Sequence, residues 1–489
     1  MKRILVSKAP DYIGQKVKFC GWVNVRRDHG KIIFIDLRDR SGILQVVFVP
    51  DNETLYKIAD QLRPEWVVEV FGQVAKRPEK MINPKLETGT IELQAEELKV
   101  LSEAKTLPFA IDTDGYEINE EKRLKYRYLD LRRERMQRNL KMRYKVIQFM
   151  RDFLFKEGFV EIETPILTKS TPEGARDFIV PSRLQPRKFY ALPQSPQQYK
   201  QLLQVGGFEK YFQIARCLRD EDPRADRQAE HTQLDIEMSF VEQEDVMNLI
   251  ENLFINLINT LYPKKKIQEI PFPRFTHKQA MEKYGTDRPD IRSDKSNNNL
   301  LAFCWVIDFP FFEPSFAEAT EGKERGWTFT HNPFSAPKPE FMDDLLKKKN
   351  IGEILTTQYD IILNGCEIGG GSLRNHKPEA LEAVFEIMGY KKTEIREKFG
   401  HMLEAFGYGV PPHGGIAPGI DRILAILHNE PNIREVIAFP KTGDSRDLMM
   451  DAPAELEEKQ LKELGLKITK KPGRRILAAP PRRRGGVNP

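Results

Sequence analysis

The chain has 489 residues, 40% hydrophobic and 30% charged, an ordinary globular mix with room for two or three domains around sizeable cores. No run approaches the ~18 apolar residues of a membrane span, and the opening MKRILVSKAP is basic without an apolar stretch, which predicts no signal peptide. Cys20, Cys217, Cys304 and Cys366 are scattered with no CxxC pair, which argues against a disulfide framework or a zinc site and predicts a cytoplasmic protein.

The net charge is +5, but residues 1–40 alone hold ten Lys/Arg against four acids. A basic first segment predicts a polyanionic partner, with nucleic acid the leading candidate. Short alternating runs near 16–23, 31–37, 43–49, 67–75 and 91–98 read as five strands, separated by turns such as Asp28-His29-Gly30. Five strands in a basic segment of 1–104 predict an OB-fold barrel. On the second strand Ile33, Ile35 and Leu37 face the core and Phe34 faces out, flanked by Arg26, Arg27 and Gln45. Such a platform suits stacking of unpaired bases; Phe34 packing beneath a loop is the equal alternative on pattern alone.

Residues 105–137 read as a charged linker. From Arg138 a helix is expected, with Leu140, Tyr144, Ile147, Met150 and Leu154 as its core stripe and Gly158 as its stop. "GFVEIETPILT" follows as a strand. Residues 138–471 are expected to form one α+β domain, an antiparallel sheet flanked by helices. Within it "SFAEATEGKERG", 315–326, predicts a mobile surface loop. The tail 472–489, with five arginines among Pro and Gly, predicts disorder.

The most informative stretch is FQIARCLRDEDPRADRQAEHTQLDIE, from Phe212 to Glu237. It reads as strand, charged loop, strand. Gln213, Ala215, Cys217 and Arg219 share one face of the first strand; Gln233, Asp235 and Glu237 share one face of the second. Guanidinium forks beside carboxylates on a sheet suit a polyanion carrying a metal together with a cationic amine. A solvated salt-bridge loop is the bland alternative, but polar residues continuing down the strands at period two exceed what it requires.

"RDEDPRADRQAEHTQLDIE" closely resembles motif 2 of class II aminoacyl-tRNA synthetases in the form found in bacterial aspartyl enzymes, and the likeness extends over nearly the whole chain. The Arg138 helix with the strand ending at Pro165 resembles motif 1, which implies a homodimer. "GGIAPGIDRILAIL" resembles motif 3. The resemblance implies ATP-dependent attachment of L-aspartate to tRNA(Asp) through an aspartyl-adenylate. It assigns the aspartate site to Glu173, Ser195, Gln197, Lys200, Arg219, Asp235, His331 and Arg374; without it His331 reads as a plain loop histidine. The family's usual second histidine is Asn332 here. ATP contacts fall on Arg219, Asp220, Glu221, Gln228, Glu367, Gly419, Ile420, Asp421 and Arg422, with Arg219 and Arg422 as the catalytic cations. Asp360 and Glu367 match acids that hold Mg²⁺ against the triphosphate.

Anticodon-reading positions fall on Arg27, Phe34, Gln45 and Glu92. His29 and Met81 stand at positions that accompany relaxed recognition, so the resemblance also implies charging of tRNA(Asn). A strictly tRNA(Asp)-specific enzyme and an asparaginyl or lysyl enzyme are the nearest rivals. The large domain that bacterial aspartyl enzymes carry between motifs 2 and 3 is missing, replaced by the short bridge around "IRSDKSNNN".

Overall fold

The computed structural model describes residues 2–170, 173–221, 225–315 and 326–469. The tip of the motif 2 loop, nearly all of the polar loop expected at 315–326 and the basic tail lie outside them. The chain divides into two compact units, Met1–Ala110 and Ile111–Pro489.

In the first unit β1 (Lys16–His29), β2 (Ile32–Asp39), β3 (Gly42–Phe48), β4 (Val67–Lys76) and β5 (Ile91–Ser102) close a barrel in the order β1-β2-β3-β5-β4. Alternate residues such as Phe19, Ile33, Ile35, Leu37, Val46 and Leu93 fill its core, as period-two strands closed on themselves require. This five-stranded barrel is an OB-fold. Helix α1 (Glu53–Gln61), which the sequence pattern did not reveal, connects β3 to β4. The Asn52 side chain caps it by accepting from the Leu55 N–H. Only Leu55 and Ala59 are buried on it, too short a stripe to read as helical periodicity.

The second unit is built on an eight-stranded sheet. Its strands are β6 (Val160–Glu161), β7 (Lys210–Leu218), β8 (Glu230–Ser239), β9 (Arg274–Thr276), β10 (Phe303–Ile307), β11 (Gln358–Leu363), β12 (Cys366–Leu373) and β13 (His413–Pro418). They lie in the order β9-β10-β11-β12-β13-β8-β7-β6. The six central strands pair antiparallel, as expected, but both edge pairs, β6 with β7 and β9 with β10, are parallel. The strand expected after Gly158 shrinks to two residues.

Helices α2 (Glu134–Lys156), α3 (Gln197–Val205), α4 (Gln243–Leu261) and α5 (Ile420–Leu427) cover the sheet. One sheet face is apolar: Leu234, Ile236, Trp305, Tyr359, Ile361 and Ile416 pack against Ile250, Phe254 and Leu257 of α4 and Ile423 and Leu424 of α5. The opposite face presents polar side chains that are nonetheless buried, Asp235, Glu237, Gln358, Asp360 and Ser372 among them. A sheet apolar on one side and polar but enclosed on the other marks where chemistry is done.

Three sequence expectations are corrected here. The helix begins at Glu134 rather than Arg138, and residues 111–137 belong with the second unit rather than forming a linker. Short helices Glu120–Lys125 and Arg127–Asp130 carry Arg123 and Arg127 into an enclosed ionic cluster, where Asp130 and Glu435 receive them and also Arg133 and Arg135. Charge alone looked like solvated linker; pairing is what lets these side chains be buried. The expected core stripe of α2 is also displaced. Met136, Asn139, Val146, Met150 and Leu154 are buried, whereas Tyr144 is 67% exposed.

Candidate active site

The polar sheet face floors a cavity of about 450 Å³ in the second unit. Neighbouring strands β7, β8, β11 and β12 bring side chains far apart in sequence to one place, joined by residues of α3, α5 and the Gly174 loop.

Lys200, Asp235 and Arg374 line its floor and, with Glu237 beneath them, form a quartet of opposed charges. Lys200 on α3 places Nζ 2.6 Å from Asp235 Oδ1 and 3.1 Å from Glu237 Oε2. Arg374 donates from Nε and Nη2 to the two Glu237 oxygens at 2.9 and 3.1 Å, and from Nη1 to Ser372 Oγ at 2.9 Å. All four are at most 3% exposed. Burial works to raise Glu237, but the charges of Arg374 and Lys200 outweigh it and hold it at about 2. Asp235 goes the other way: burial raises it in spite of Lys200, and its Oδ2 takes no hydrogen bond among the described residues. Glu237 was not among the residues expected to form the site, although period-two alternation had already put it on the Asp235 face. It occupies one side of the Arg374 fork, so a substrate carboxylate can use only the remaining N–H groups of that guanidinium.

Above the floor, Glu173 accepts from Ser195 Oγ at 3.2 Å and from Gln198 Nε2 at 3.0 Å. Gln197 lines the cavity beside them. His331 also lines it, its ring edge-on to Phe309 and its Nδ1 4.0 Å from Asp360 Oδ2. Burial lowers its pKa, which keeps the imidazole neutral.

At the other end Arg219, Glu221, Gln228, Gly419 and Arg422 line the cavity. Among the described residues Arg219 Nε is buried without a hydrogen-bond partner. Arg422 donates from Nη1 to the Glu367 carbonyl at 2.7 Å and approaches the Asp226 carboxylate at 3.2 Å. Close enough to feel both arginines lies His231, half-buried and unanticipated from sequence. Burial, then Arg219 and Arg422, push it down to about 3, so a neutral aromatic ring faces the cavity.

Three of the expected nucleotide contacts are placed differently. Asp220 is exposed and does not line the cavity; its N–H donates to the Arg176 carbonyl. The Ile420 side chain is buried in the apolar core under the sheet. Asp421 touches the cavity edge, but its oxygens are engaged by Arg143 at 2.5 Å and by the Thr232 N–H at 2.9 Å. Helical periodicity already pointed Ile420 inward, which leaves the Arg422 side chain as the group of that turn that faces the cavity.

Asp360 and Glu367 both line the cavity. Burial and then the Glu367 charge raise Asp360 well above the ordinary carboxylate range, a strain that a cation between the two would relieve. Among the described residues no group of three or more His, Cys, Asp or Glu gathers around one point. Two carboxylates facing one cavity suit a hard divalent ion whose remaining ligands would be substrate oxygens and water. The glycines of β12 serve a related end: a Cβ on Gly370 would come 2.7 Å from Asp360 Oδ1. That of Gly371 would collide with the Gly415 carbonyl across the sheet.

On the barrel of the first unit Arg27, Phe34, Gln45 and Glu92 come together on one face. Arg27 pairs opposite Phe34 across β1 and β2, grips Asp36 with both Nη atoms and reaches Gln45 Oε1 at 3.4 Å; Gln45 donates to Glu92 at 3.0 Å. His29 at the end of β1 and Met81 in a short turn are both exposed.

These features define a class of protein, and comparison with known proteins agrees. Residues 119–443 match the family profile described as tRNA synthetases class II (D, K and N), and residues 17–101 match an OB-fold nucleic acid binding domain. The chain belongs to the class II tRNA synthetases of the D, K and N group. More particularly, it is 41% identical to a Rubrobacter xylanophilus protein named aspartate--tRNA(Asp/Asn) ligase, across 95% of this chain and 96% of that one. It is 43% identical to a protein of the same name from Dictyoglomus turgidum, across 93% and 96%. In structure it resembles the asparaginyl-tRNA synthetase of Pyrococcus horikoshii, with a TM-score of 0.71 and 22% identity over 90% of this chain and 98% of that one, a likeness of fold. The Rubrobacter alignment runs over 586 positions against 489 residues here, so that relative carries sequence this chain lacks. Among the described residues no helix is long and apolar enough to cross a membrane.

Proposed function

We propose that this chain activates L-aspartate with ATP and transfers it to tRNA(Asp) and tRNA(Asn). The observation that carries this reading is the buried Lys200–Arg374 pair at the cavity floor, two cations held in place by Asp235 and Glu237. A substrate side chain arriving there meets fixed positive charge. The Glu173 carboxylate, with Ser195 and Gln197, receives the α-ammonium.

The two ends of the cavity divide the work. The aspartate α-carboxylate attacks the α-phosphorus, an O–P bond forms, and the bond to pyrophosphate breaks. No protein base is needed, since the nucleophile is already ionised. Arg219, with its unpartnered Nε, and Arg422 supply charge where it develops on the α-phosphate. The neutral His231 ring offers a stacking surface to the adenine, with Glu221 at its edge. Mg²⁺ bound by Asp360 and Glu367 would screen the phosphate charges. In the second step a hydroxyl of the terminal tRNA adenosine attacks the aspartyl carbonyl and AMP leaves.

The barrel face carrying Arg27, Phe34, Gln45 and Glu92 is the anticodon platform in this reading. The chain acts as a homodimer in the cytoplasm; exposed Tyr144 and Phe155 on α2 offer apolar surface for a second copy. The sequence present in relatives and lacking here belongs at the short bridge between Asp290 and Leu300.

Pyrophosphate exchange with aspartate, asparagine and lysine run in parallel tests the proposal. Asparagine is the informative control, because the unpartnered Oδ2 of Asp235 could accept from its amide. Exchange driven by aspartate alone is expected; equal exchange with asparagine would overturn the assignment.

A further inference from the structure

Behind the ammonium site runs a chain of hydrogen bonds whose direction is set at its far end. His413 Nδ1 lies 2.8 Å from the Pro411 carbonyl oxygen, and Nε2 lies 3.0 Å from Gln201 Nε2. Gln201 Oε1 in turn accepts from Gln197 Nε2 at 2.9 Å. A carbonyl can only accept, so Nδ1 must carry a proton. Burial brings His413 down to about 4, against the pull of Glu237 and with the help of Arg374 and His376, so the ring is neutral and Nε2 is an acceptor. Gln201 must then turn its NH₂ to the histidine and its oxygen to Gln197. Gln197 must donate to that oxygen, and its own Oε1 remains as the acceptor it offers the cavity it lines. His413 and Gln201 are 1% and 0% exposed; neither lines the cavity.

We infer that His413 and Gln201 are positioning residues for substrate recognition: through this chain they lock the Gln197 amide with its oxygen towards the amino-acid ammonium. A free glutamine amide presents oxygen or NH₂ with similar ease, and the NH₂ end would repel an ammonium. The chain removes that ambiguity without touching substrate. The inference rests on the aspartate-activating reading and deepens it.

The test is steady-state pyrophosphate exchange by the full chain. Gln201→Met removes the link at similar volume. KM for aspartate should rise about tenfold, the scale of one misdirected charge-assisted hydrogen bond, with KM for ATP unchanged. In a Gln197→Glu background the same substitution should alter KM for aspartate by less than about twofold, because a carboxylate accepts whichever way it rotates; a merely structural defect would not be rescued. If Gln201→Met does not fold, His413→Asn breaks the chain at its far end, its shorter amide unable to reach Gln201, and the same split is expected. A folded variant with unchanged KM for aspartate, a parallel rise for ATP, or no rescue in the Gln197→Glu background overturns the inference. Wild-type protein without aspartate-dependent exchange would instead bring down the functional reading itself, and the lock with it.

Discussion

Arg219 is the clearest single-residue test of the catalytic assignment. Its backbone N–H is tied to Ala229 and its Nε is buried without a partner among the described residues, so the guanidinium contributes little to holding the fold. Arg219→Ala should leave the melting temperature near wild type while lowering aspartate-dependent exchange by roughly 10²–10³, as loss of one donor to a developing oxyanion does. Near-normal exchange would remove Arg219 from the mechanism. Glu237 is the opposite kind of residue. Held at about 2 by Arg374 and Lys200 against the cost of burial, its ionised form is favoured by folding. Its stabilising contribution is therefore complete above the ordinary glutamate value of 4.5 and is lost as pH falls from there towards about 2. The stability difference between wild type and Glu237→Gln, followed by thermal unfolding, should be largest near neutrality and shrink across that acidic window. Asp235, raised by burial, has the reverse slope and partly offsets it in the wild type, which is why the comparison is made between variants.

Between elements, the link from α2 to the cavity is Arg143. It meets Asp421 Oδ1, whose other oxygen accepts from the Thr232 N–H on β8. One carboxylate thus ties the long helix, the start of α5 and a site strand together, immediately beside Arg422. Arg143→Met would leave Asp421, 3% exposed, without its cation. A stability loss of about 3–5 kcal/mol is expected, with a fall in exchange if the start of α5, which carries Arg422, shifts with it. Arg143→Met with Asp421→Asn should recover much of the stability; if the single variant melts like wild type, the link is idle. This link was not legible in the sequence, and the reason is general. Period-two and helical patterns exposed which side chains share a face, and so gave the barrel strands, the Asp235 face and the inward Ile423 and Leu424. They could not show which buried charges would find one another. The motif 3 resemblance assigned Asp421 to the nucleotide along with Arg422, and residues 120–135 read as linker because their arginines find Asp130 and Glu435 only in three dimensions. Glu237 was missed for the same reason: its partners lie 37 residues before it and 137 after it.

For the whole molecule the proposed function turns on a choice between tRNAs, and in that reading the choice falls on the basic first unit. The barrel face holds Arg27 by two bonds to Asp36 and holds Gln45 between Arg27 and Glu92, so the platform around Phe34 is pre-ordered. The turn beside it is different. His29 is exposed, no side-chain hydrogen bond holds it among the described residues, and Met81 in its own turn is 54% exposed and apolar. The aspartate and asparagine anticodons differ at one base. A site rejects the wrong base strongly only when it commits a fixed hydrogen-bonding group to the right one. An unanchored imidazole and a thioether commit none. Both tRNAs should therefore be charged with aspartate at rates within about tenfold of each other, the aspartylated tRNA(Asn) being left for a separate amidating enzyme. Aminoacylation of purified transcripts of the two decides the matter. A preference of several hundredfold for tRNA(Asp) would mean that some group other than His29 and Met81 reads that base, and Gln45 and Glu92, the fixed hydrogen-bonding pair on the same face, would be the residues to substitute next.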